Sequence, residues 1–192
     1  MREGGSILAL DIASRTGWAF GRPGELPKSG SVRLAPPGSS NGTVGRGMLR
    51  WLADFLSAES PNALYYEVPI DPRHMGSKTN FKTARLLIGL PFLVEAIAEA
   101  RGLFYQREAG VQNVRKHFVG TPRPKDKKQS VLARCRLLGW KPEDDNAADA
   151  LALWDFACAI EAPRAAIMTA PLFAPPPEPE PIPDDEFEEI PF

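Results

Sequence analysis

The hydrophobic and polar positions along the chain predict strands that alternate with helices. Short apolar runs predict five strands, at residues 6–12, 16–21, 29–34, 63–68 and 103–106. Apolar residues at helical spacing predict five helices, at residues 43–56, 81–100 (despite Pro91), 111–119, 129–138 and 146–160. The first three strands follow one another as a meander, and helices join the later ones. This order predicts an α/β fold in which helices flank a mixed five-stranded sheet.

The last part of the chain has a different composition. Residues 163–192 contain nine of the 20 prolines, and residues 175–183 are mostly proline and glutamate. Such a segment favours extended polyproline geometry and cannot build an apolar core. We therefore expect a folded domain over residues 1–164 and a disordered, acidic, Pro-rich tail over residues 165–192.

The net charge of −1 hides an uneven distribution. Residues 165–192 contain seven of the 24 acidic residues and no Lys or Arg. Residues 1–164 therefore hold 17 acidic and all 23 basic residues, a net charge of +6. Within them, residues 101–141 contain eleven basic and two acidic residues. The total charge argues against a nucleic-acid partner, but the basic domain is compatible with one.

The sequence predicts a protein with no membrane partner. No apolar run approaches the ~18 residues that a membrane span needs, and the first residues lack the apolar region of a signal peptide. Cys135 and Cys158 lie apart in predicted helices, which favours reduced core residues over a disulfide. We expect a soluble protein of the cytoplasm.

Three carboxylates are placed to form a cluster. Asp11 lies at the end of the first predicted strand and Glu67 at the end of the fourth, so the two meet at one sheet edge if these strands are parallel neighbours. Asp149 lies on a helix whose small apolar face can pack closely on the sheet. Converging carboxylates repel one another unless cations neutralise them, and Mg²⁺-dependent phosphodiester hydrolysis uses such a cluster. Taken singly, the three are also compatible with a turn residue, a strand-end salt bridge and a helix-dipole acid.

An ordered set of motifs resembles the RuvC-like Holliday-junction resolvases of the ribonuclease H superfamily, and among them the phage-type members. The motifs are ILALDIASRTGWA at 7–19, YYEV at 65–68, TARLLIG at 83–89, VRKHFVG at 114–120, KKQSV at 127–131 and NAADAL at 146–151. The resemblance implies a ribonuclease H-like fold over residues 6–160. It also implies an origin in a bacterial cell or its phage.

The resemblance assigns metal ligands. It implies two Mg²⁺ ions per active site, with Asp11 bridging both, Glu67 as a second ligand and Asp149 as the ligand on the helix; Mn²⁺ is expected to substitute. Family members usually carry an acid or histidine three residues before the last aspartate, where this chain has Asn146. Asp145 can replace it, because residues i and i+4 share a helix face. The fourth ligand is therefore either Asp145 or Asn146.

Six basic residues of the segment 101–141 are candidates to bind DNA phosphates, since contacts to the DNA backbone provide most sequence-independent affinity. They are Arg115, Lys116, Arg123, Lys125, Lys127 and Lys128. The alternative to DNA binding is that these residues form a Lys-rich loop that is merely solvated. Family members also use the segment after the strand-four acid to reach into the junction, and here Arg73 is a candidate within it.

The last nine residues resemble the C-terminal tip of bacterial single-stranded DNA-binding protein, an acidic run that ends in Ile-Pro-Phe. The resemblance implies that Ile190, Pro191 and Phe192 bind the repair and replication proteins that recognise that tip. Two other interpretations stay open. The acidic tail can fold back onto the basic surface as a DNA mimic that inhibits binding, or it can serve only as a solubilising end.

These features together predict a homodimeric, Mg²⁺-dependent endonuclease that resolves four-way or other branched DNA by paired nicks; the dimer is implied by the resemblance. One alternative is a ribonuclease H-fold nuclease acting on flaps, single strands or RNA–DNA hybrids. Another is a catalytically silent adaptor that binds junctions. An actin-like ATPase is disfavoured, because no Gly-Thr-Thr phosphate loop follows Asp11.

Overall fold

The computed structural model of the chain describes residues 4–68 and 81–163. The strands in these ranges are β1 (Ile7–Asp11), β2 (Arg15–Gly21), β3 (Lys28–Arg33), β4 (Ala63–Glu67) and β5 (Gln106–Ala109). The helices are α1 (Asn41–Glu59), α2 (Phe81–Ala100), α3 (Val111–Val119), α4 (Lys127–Leu137) and α5 (Asp145–Glu161). The predicted α/β architecture is confirmed.

The strands form one mixed sheet in the order β3-β2-β1-β4-β5. The meander β1, β2 and β3 pairs antiparallel, whereas β4 pairs parallel with both β1 and β5. Parallel neighbours require crossover connections, and helices supply them. The carboxyl ends of β1 and β4 therefore lie side by side at one edge of the sheet.

Each face of the sheet has its own helices and its own apolar core. On β1, Ile7 and Ala9 pack in the core under α3, α4 and α5, while Leu8 and Leu10 pack in the core with α1 and α2. Side chains alternate between the faces of a strand, so the next residue, Asp11, belongs to the α5 face. Position along β1 thus decides which helices surround this carboxylate.

Helix α5 packs unusually close to the sheet at its first turn. A Cβ atom on Gly17 would lie 1.9 Å from the backbone oxygen of Asn146. Gly17 pairs with Asp11 across the β1–β2 ladder, so the contact places the start of α5 beside the end of β1. Ala147, Ala148 and Ala150 are buried here, and their small side chains permit the approach.

The structure corrects the predicted position of the fifth strand. The strand expected at residues 103–106 is instead β5, Gln106–Ala109. The backbone N–H of Leu103 donates to the carbonyl of Ala98 and closes the end of α2, so the apolar run belongs to a connection. The strand itself lacks an apolar alternation, because Arg107 and Glu108 are both exposed.

Several smaller expectations agree with the structure. Helix α2 continues through Pro91, and Cys135 and Cys158 are both buried and free. Helix α4 begins two residues earlier than predicted because Asp126 caps it, its side chain accepting a hydrogen bond from the backbone N–H of Gln129. Within the described ranges, no helix is long and apolar enough to cross a membrane.

We expect Gly17→Ala to lower the free energy of unfolding by about 1–3 kcal/mol, because its methyl group overlaps the backbone of α5. Gly45→Ala is the matched control: its Cβ would meet Leu93 at an ordinary 3.5 Å in mid-helix, and alanine favours helix by up to ~1 kcal/mol. Urea unfolding of both variants measures the difference. Equal stabilities would contradict the close contact between α5 and β2.

Candidate active site

Asp11 and Glu67 are neighbours on adjacent parallel strands. Leu10 pairs with Tyr66, and each strand runs one residue further, to Asp11 and to Glu67. Adjacent strands are about 4.8 Å apart, and residues at the same register position lie on the same face. The prediction that these two acids meet at one sheet edge is therefore confirmed.

Helix α5 adds two more carboxylates to this edge. Asp149 raises the pKa of both Asp11 and Glu67 by charge repulsion, and Asp145 raises the pKa of Asp11 and of Asp149. Asp145 and Asp149 are one helical turn apart. They lie in the N-terminal part of α5, which can approach the sheet because Gly17 has no side chain. The four residues form what we call the carboxylate cluster: Asp11, Glu67, Asp145 and Asp149.

The cluster carries more negative charge than its surroundings compensate. Burial, and then repulsion by Glu67, Asp149 and Asp145, raise the pKa of Asp11 to about 7. Burial and the charge of Asp149 likewise raise the pKa of Glu67 to about 7. Burial is also the main cause that raises the pKa of Asp149. A cation at this point would be stabilised by all of them.

Two basic residues partly offset the repulsion. Arg115 on α3 lowers the pKa of Asp11, Glu67 and Asp149 by its positive charge. Lys128 in the first turn of α4 donates a hydrogen bond from Nζ to Oδ2 of Asp145 and holds the pKa of that carboxyl below its usual range. Both were predicted to contact DNA phosphates, and the structure places both beside the carboxylate cluster.

Asp144 and Asn146 have structural partners. Asp144 caps α5: its carboxylate accepts from the backbone N–H of Ala147 at 2.9 Å and from the hydroxyl of Ser31 at 2.7 Å, and it pairs with Arg15 at 2.8 Å. Asn146 lies beside this cap, and its backbone oxygen is the atom that a Cβ on Gly17 would meet. Of residues 144–146, it is Asp145 whose charge acts on the cluster, which favours Asp145 over Asn146 as the fourth ligand.

The donor set fits a hard divalent cation. Among the described residues, no three His, Cys, Asp or Glu side chains are arranged to hold a metal ion directly. Mg²⁺, however, is usually bound through one or two carboxylates, with water completing its coordination. Asp11 and Glu67 supply such a pair in register, with all-oxygen chemistry and uncompensated charge. The residues present therefore fit Mg²⁺ or Mn²⁺.

The remaining predicted basic residues lie on or between α3 and α4, next to α5. Lys116 is in the last turn of α3, Lys127 begins α4, and Arg123 and Lys125 lie in the connection; all four are exposed. Arg73 and the tip residues Ile190, Pro191 and Phe192 lie outside the described residues. The two helices that carry or flank these residues both contact α5, the helix of Asp145 and Asp149.

Two solved structures resemble this one along most of its length. RuvC from Thermus thermophilus has a TM-score of 0.58 and 19% identity, over 81% of this chain and 95% of that one. RuvC from the same organism in complex with a Holliday junction substrate has a TM-score of 0.60 and 18% identity, over 83% and 95% of the two chains. The chain has the RuvC fold. No protein-family model matches the sequence, and no curated protein matches it.

Sequence reasoning missed two features of this site. The ion pair between Lys128 and Asp145 joins residues 17 positions apart on different helices, and local pattern carries no signal for it. The close approach at Gly17 does have a signal, since a glycine inside a strand often marks a nearby backbone. In the sequence, Gly17 is part of the motif at residues 7–19, and that motif by itself did not lead to a prediction of the contact.

We expect the stability of the ion-free protein to fall between about pH 4 and pH 8. The pKa values of Asp11 and Glu67 rise from 3.8 and 4.5 to about 7 on folding, so the folded state binds more protons in this window and loses stability as pH rises. Asp11→Asn removes one of these groups. At pH 8 in EDTA it should raise the free energy of unfolding by about 1–3 kcal/mol.

Urea unfolding at a series of pH values measures this effect. Asp54→Asn, which alters an exposed acid on α1 across the sheet, is the control and should leave the pH profile unchanged. Identical profiles for Asp11→Asn and the wild-type chain would show that Asp11 is not under electrostatic strain.

Proposed function

We propose that this chain is a divalent-metal-dependent endonuclease that resolves four-way DNA junctions by paired nicks. The observation that carries the proposal is the in-register placement of Asp11 and Glu67 on a RuvC fold, with Asp149 close enough for its charge to act on both. One of the similar structures is a RuvC in complex with a Holliday junction substrate. A basic surface beside the same acids supports DNA as the substrate.

The carboxylate cluster holds the metal ions in this proposal. Asp11 and Glu67 provide the paired ligands on the sheet, and Asp149 and Asp145 provide ligands from α5. Two Mg²⁺ or Mn²⁺ ions held by these residues would supply the positive charge that activates water and stabilises the leaving oxygen of a phosphodiester. The protein contributes oxygen donors in fixed places, because β1 and β4 pair in the sheet and the first turn of α5 packs closely against Gly17.

The basic surface binds the DNA backbone in this proposal. Lys116, Arg123, Lys125 and Lys127 are exposed and lie on or between two helices that contact α5. Lysine and arginine side chains bind phosphates independently of sequence and make affinity dependent on salt. This surface therefore supports recognition of DNA by shape and charge. Arg73 is a further candidate outside the described residues.

We expect wild-type protein to nick a labelled four-way junction in Mg²⁺ or Mn²⁺ and not in EDTA. Asp11→Asn, Glu67→Gln and Asp149→Asn should each lower the cleavage rate by about 100-fold or more while leaving junction binding in place, because they remove charge from the metal ligands. Gel assays of cleavage and of binding measure the two effects. Asp54→Asn is the matched control and should cleave normally.

The same assay decides between the proposed function and its rivals. Faster cleavage of flaps, single strands or RNA–DNA hybrids would favour the broader ribonuclease H-fold nuclease. The neutral Asn146, at the position where the resolvases usually carry an acid or histidine, is the observation that favours a catalytically silent adaptor. Junction binding without any cleavage in Mn²⁺ would support the adaptor and contradict the endonuclease.

A homodimer is the second part of the proposal. Three large apolar side chains on one side of α2 are exposed: Phe81 (77%), Ile88 (44%) and Phe92 (71%), and Phe104 (72%) follows the helix. Their spacing of seven and four residues places the first three on one helix face. An apolar stripe of this kind marks an interaction surface, and a two-fold dimer matches the two-fold symmetry of paired nicks.

We expect Phe92→Glu to convert the dimer to a monomer, because it places a charge in the middle of the stripe. Analytical ultracentrifugation measures the mass. Leu26→Glu is the control, since Leu26 is equally exposed (75%) in the β2–β3 turn and should not affect assembly. A wild-type monomer, or a dimer that tolerates Phe92→Glu, would contradict this interface.

The tail completes the proposal. Residues 165–192 act as an acidic linker whose tip, Ile190, Pro191 and Phe192, binds proteins that recognise the tip of single-stranded DNA-binding protein. The support is the sequence resemblance, since these residues lie outside the described ranges. Such a tip would bring the nuclease domain, residues 1–164, to sites of DNA repair and replication in the cytoplasm.

A further inference from the structure

Lys128 lies where the basic surface meets the carboxylate cluster. It belongs to the first turn of α4, beside the exposed Lys127, and its Nζ donates to Oδ2 of Asp145. Its charge also lowers the pKa of Asp149. In the ion-free protein, Lys128 therefore compensates negative charge on both α5 carboxylates, which is the work that a bound cation would do.

The ion pair between Lys128 and Asp145 is easily exchanged. Its side chains are 71% and 36% exposed, and solvent and salt screen the attraction between charges that are exposed to this degree. A divalent cation that contacts several carboxylates gains more, because each contact involves twice the charge of an ammonium. A cation that binds Asp145 therefore displaces Lys128 at little energetic cost.

The two helix-capping carboxylates nearest in sequence to this ion pair, Asp144 and Asp126, already have other partners. Asp144 is engaged by Ala147, Ser31 and Arg15, and Asp126 caps α4 through Gln129. Once released, Lys128 extends into solvent from the same helix turn as Lys127. DNA phosphates are the anions expected on that surface.

We propose that Lys128 is an exchangeable counter-ion: a divalent cation takes its place on Asp145, and the freed ammonium then contacts a DNA phosphate. Lys128 acts as a positioning residue that strengthens DNA binding when the cation is present. The inference rests on the proposed function, since it requires both cation and DNA binding. It assigns Lys128 a role different from that of Lys127, although the two are adjacent and both exposed.

Binding of a fluorescent four-way junction, measured by anisotropy in EDTA and in Ca²⁺ at constant ionic strength, tests the exchange. Ca²⁺ is the probe because it takes the same oxygen ligands. Lys128→Ala should weaken binding about three- to tenfold in Ca²⁺ and less than twofold in EDTA. In Ca²⁺ it should also reduce the slope of log affinity against log salt by about one.

Two further variants make the test specific. Lys127→Ala should weaken binding equally in EDTA and in Ca²⁺, because Lys127 forms no ion pair with a carboxylate of the described residues that a cation could displace. In an Asp145→Asn background, Lys128 is always free, so Lys128→Ala should weaken binding about three- to tenfold even in EDTA. An equal effect of Lys128→Ala in EDTA and in Ca²⁺ on the wild-type background would overturn the proposal.

Calorimetric titration of Mn²⁺ into the full chain without DNA separates this inference from the proposed function. Lys128→Ala should bind Mn²⁺ about three- to tenfold more tightly, because the competing ammonium is gone, and Lys127→Ala should change the affinity less. Wild-type protein that binds Mn²⁺ with an affinity indifferent to Lys128→Ala would refute the exchange alone. A wild-type chain that binds no Mn²⁺ would refute the proposed function.

Discussion

Repulsion among buried carboxylates is the constraint on which the rest of the structure depends. Asp11 and Glu67 stand at the same level of two parallel strands, and burial together with repulsion from neighbouring carboxylates raises the pKa of each to about 7. An arrangement of this kind lowers stability unless cations compensate it. The fold keeps it because the core on each face of the sheet fixes β1 and β4 as parallel neighbours. The strain is thus located where a cation can relieve it.

The surrounding elements either bring charge to this point or offset it. Gly17 lets α5 approach the sheet, and α5 brings Asp149 and Asp145 with it. Arg115 and Lys128 come from α3 and α4 and oppose the negative charge. Because the same two helices carry the exposed basic surface, the elements that balance the cluster are also those placed to meet DNA. In the proposed function, cation binding and DNA binding would therefore be electrostatically coupled.

The sequence predicts most of the fold, since its apolar patterns depend on local periodicity. The strand ending in Asp11 and the strand ending in Glu67 were predictable, but their parallel pairing was only a condition of the prediction, which the sheet fulfils. The fifth strand was misplaced because β5 is polar at Arg107 and Glu108, while the apolar Leu103 closes α2. The position of a polar edge strand of this kind follows from its burial in the folded sheet and is not predicted by its composition alone.

The site was predictable only in part, because its members come from distant segments. Acids at the ends of strands have a positional signal, and Asp149 gained one through the resemblance of its motif. The choice between Asp145 and Asn146 depended on the charge that Asp145 exerts on Asp11 and Asp149, which is visible only in three dimensions. The pairing of Lys128 with Asp145 likewise depends on how α4 packs beside α5.

The central claim is that Asp11 and Glu67 jointly bind a divalent cation. Anomalous diffraction from crystals grown with Mn²⁺ tests it most directly. We expect an anomalous peak about 2.0–2.5 Å from a carboxylate oxygen of Asp11 and from one of Glu67. Full Mn²⁺ occupancy elsewhere, with no peak between these two side chains, would contradict it.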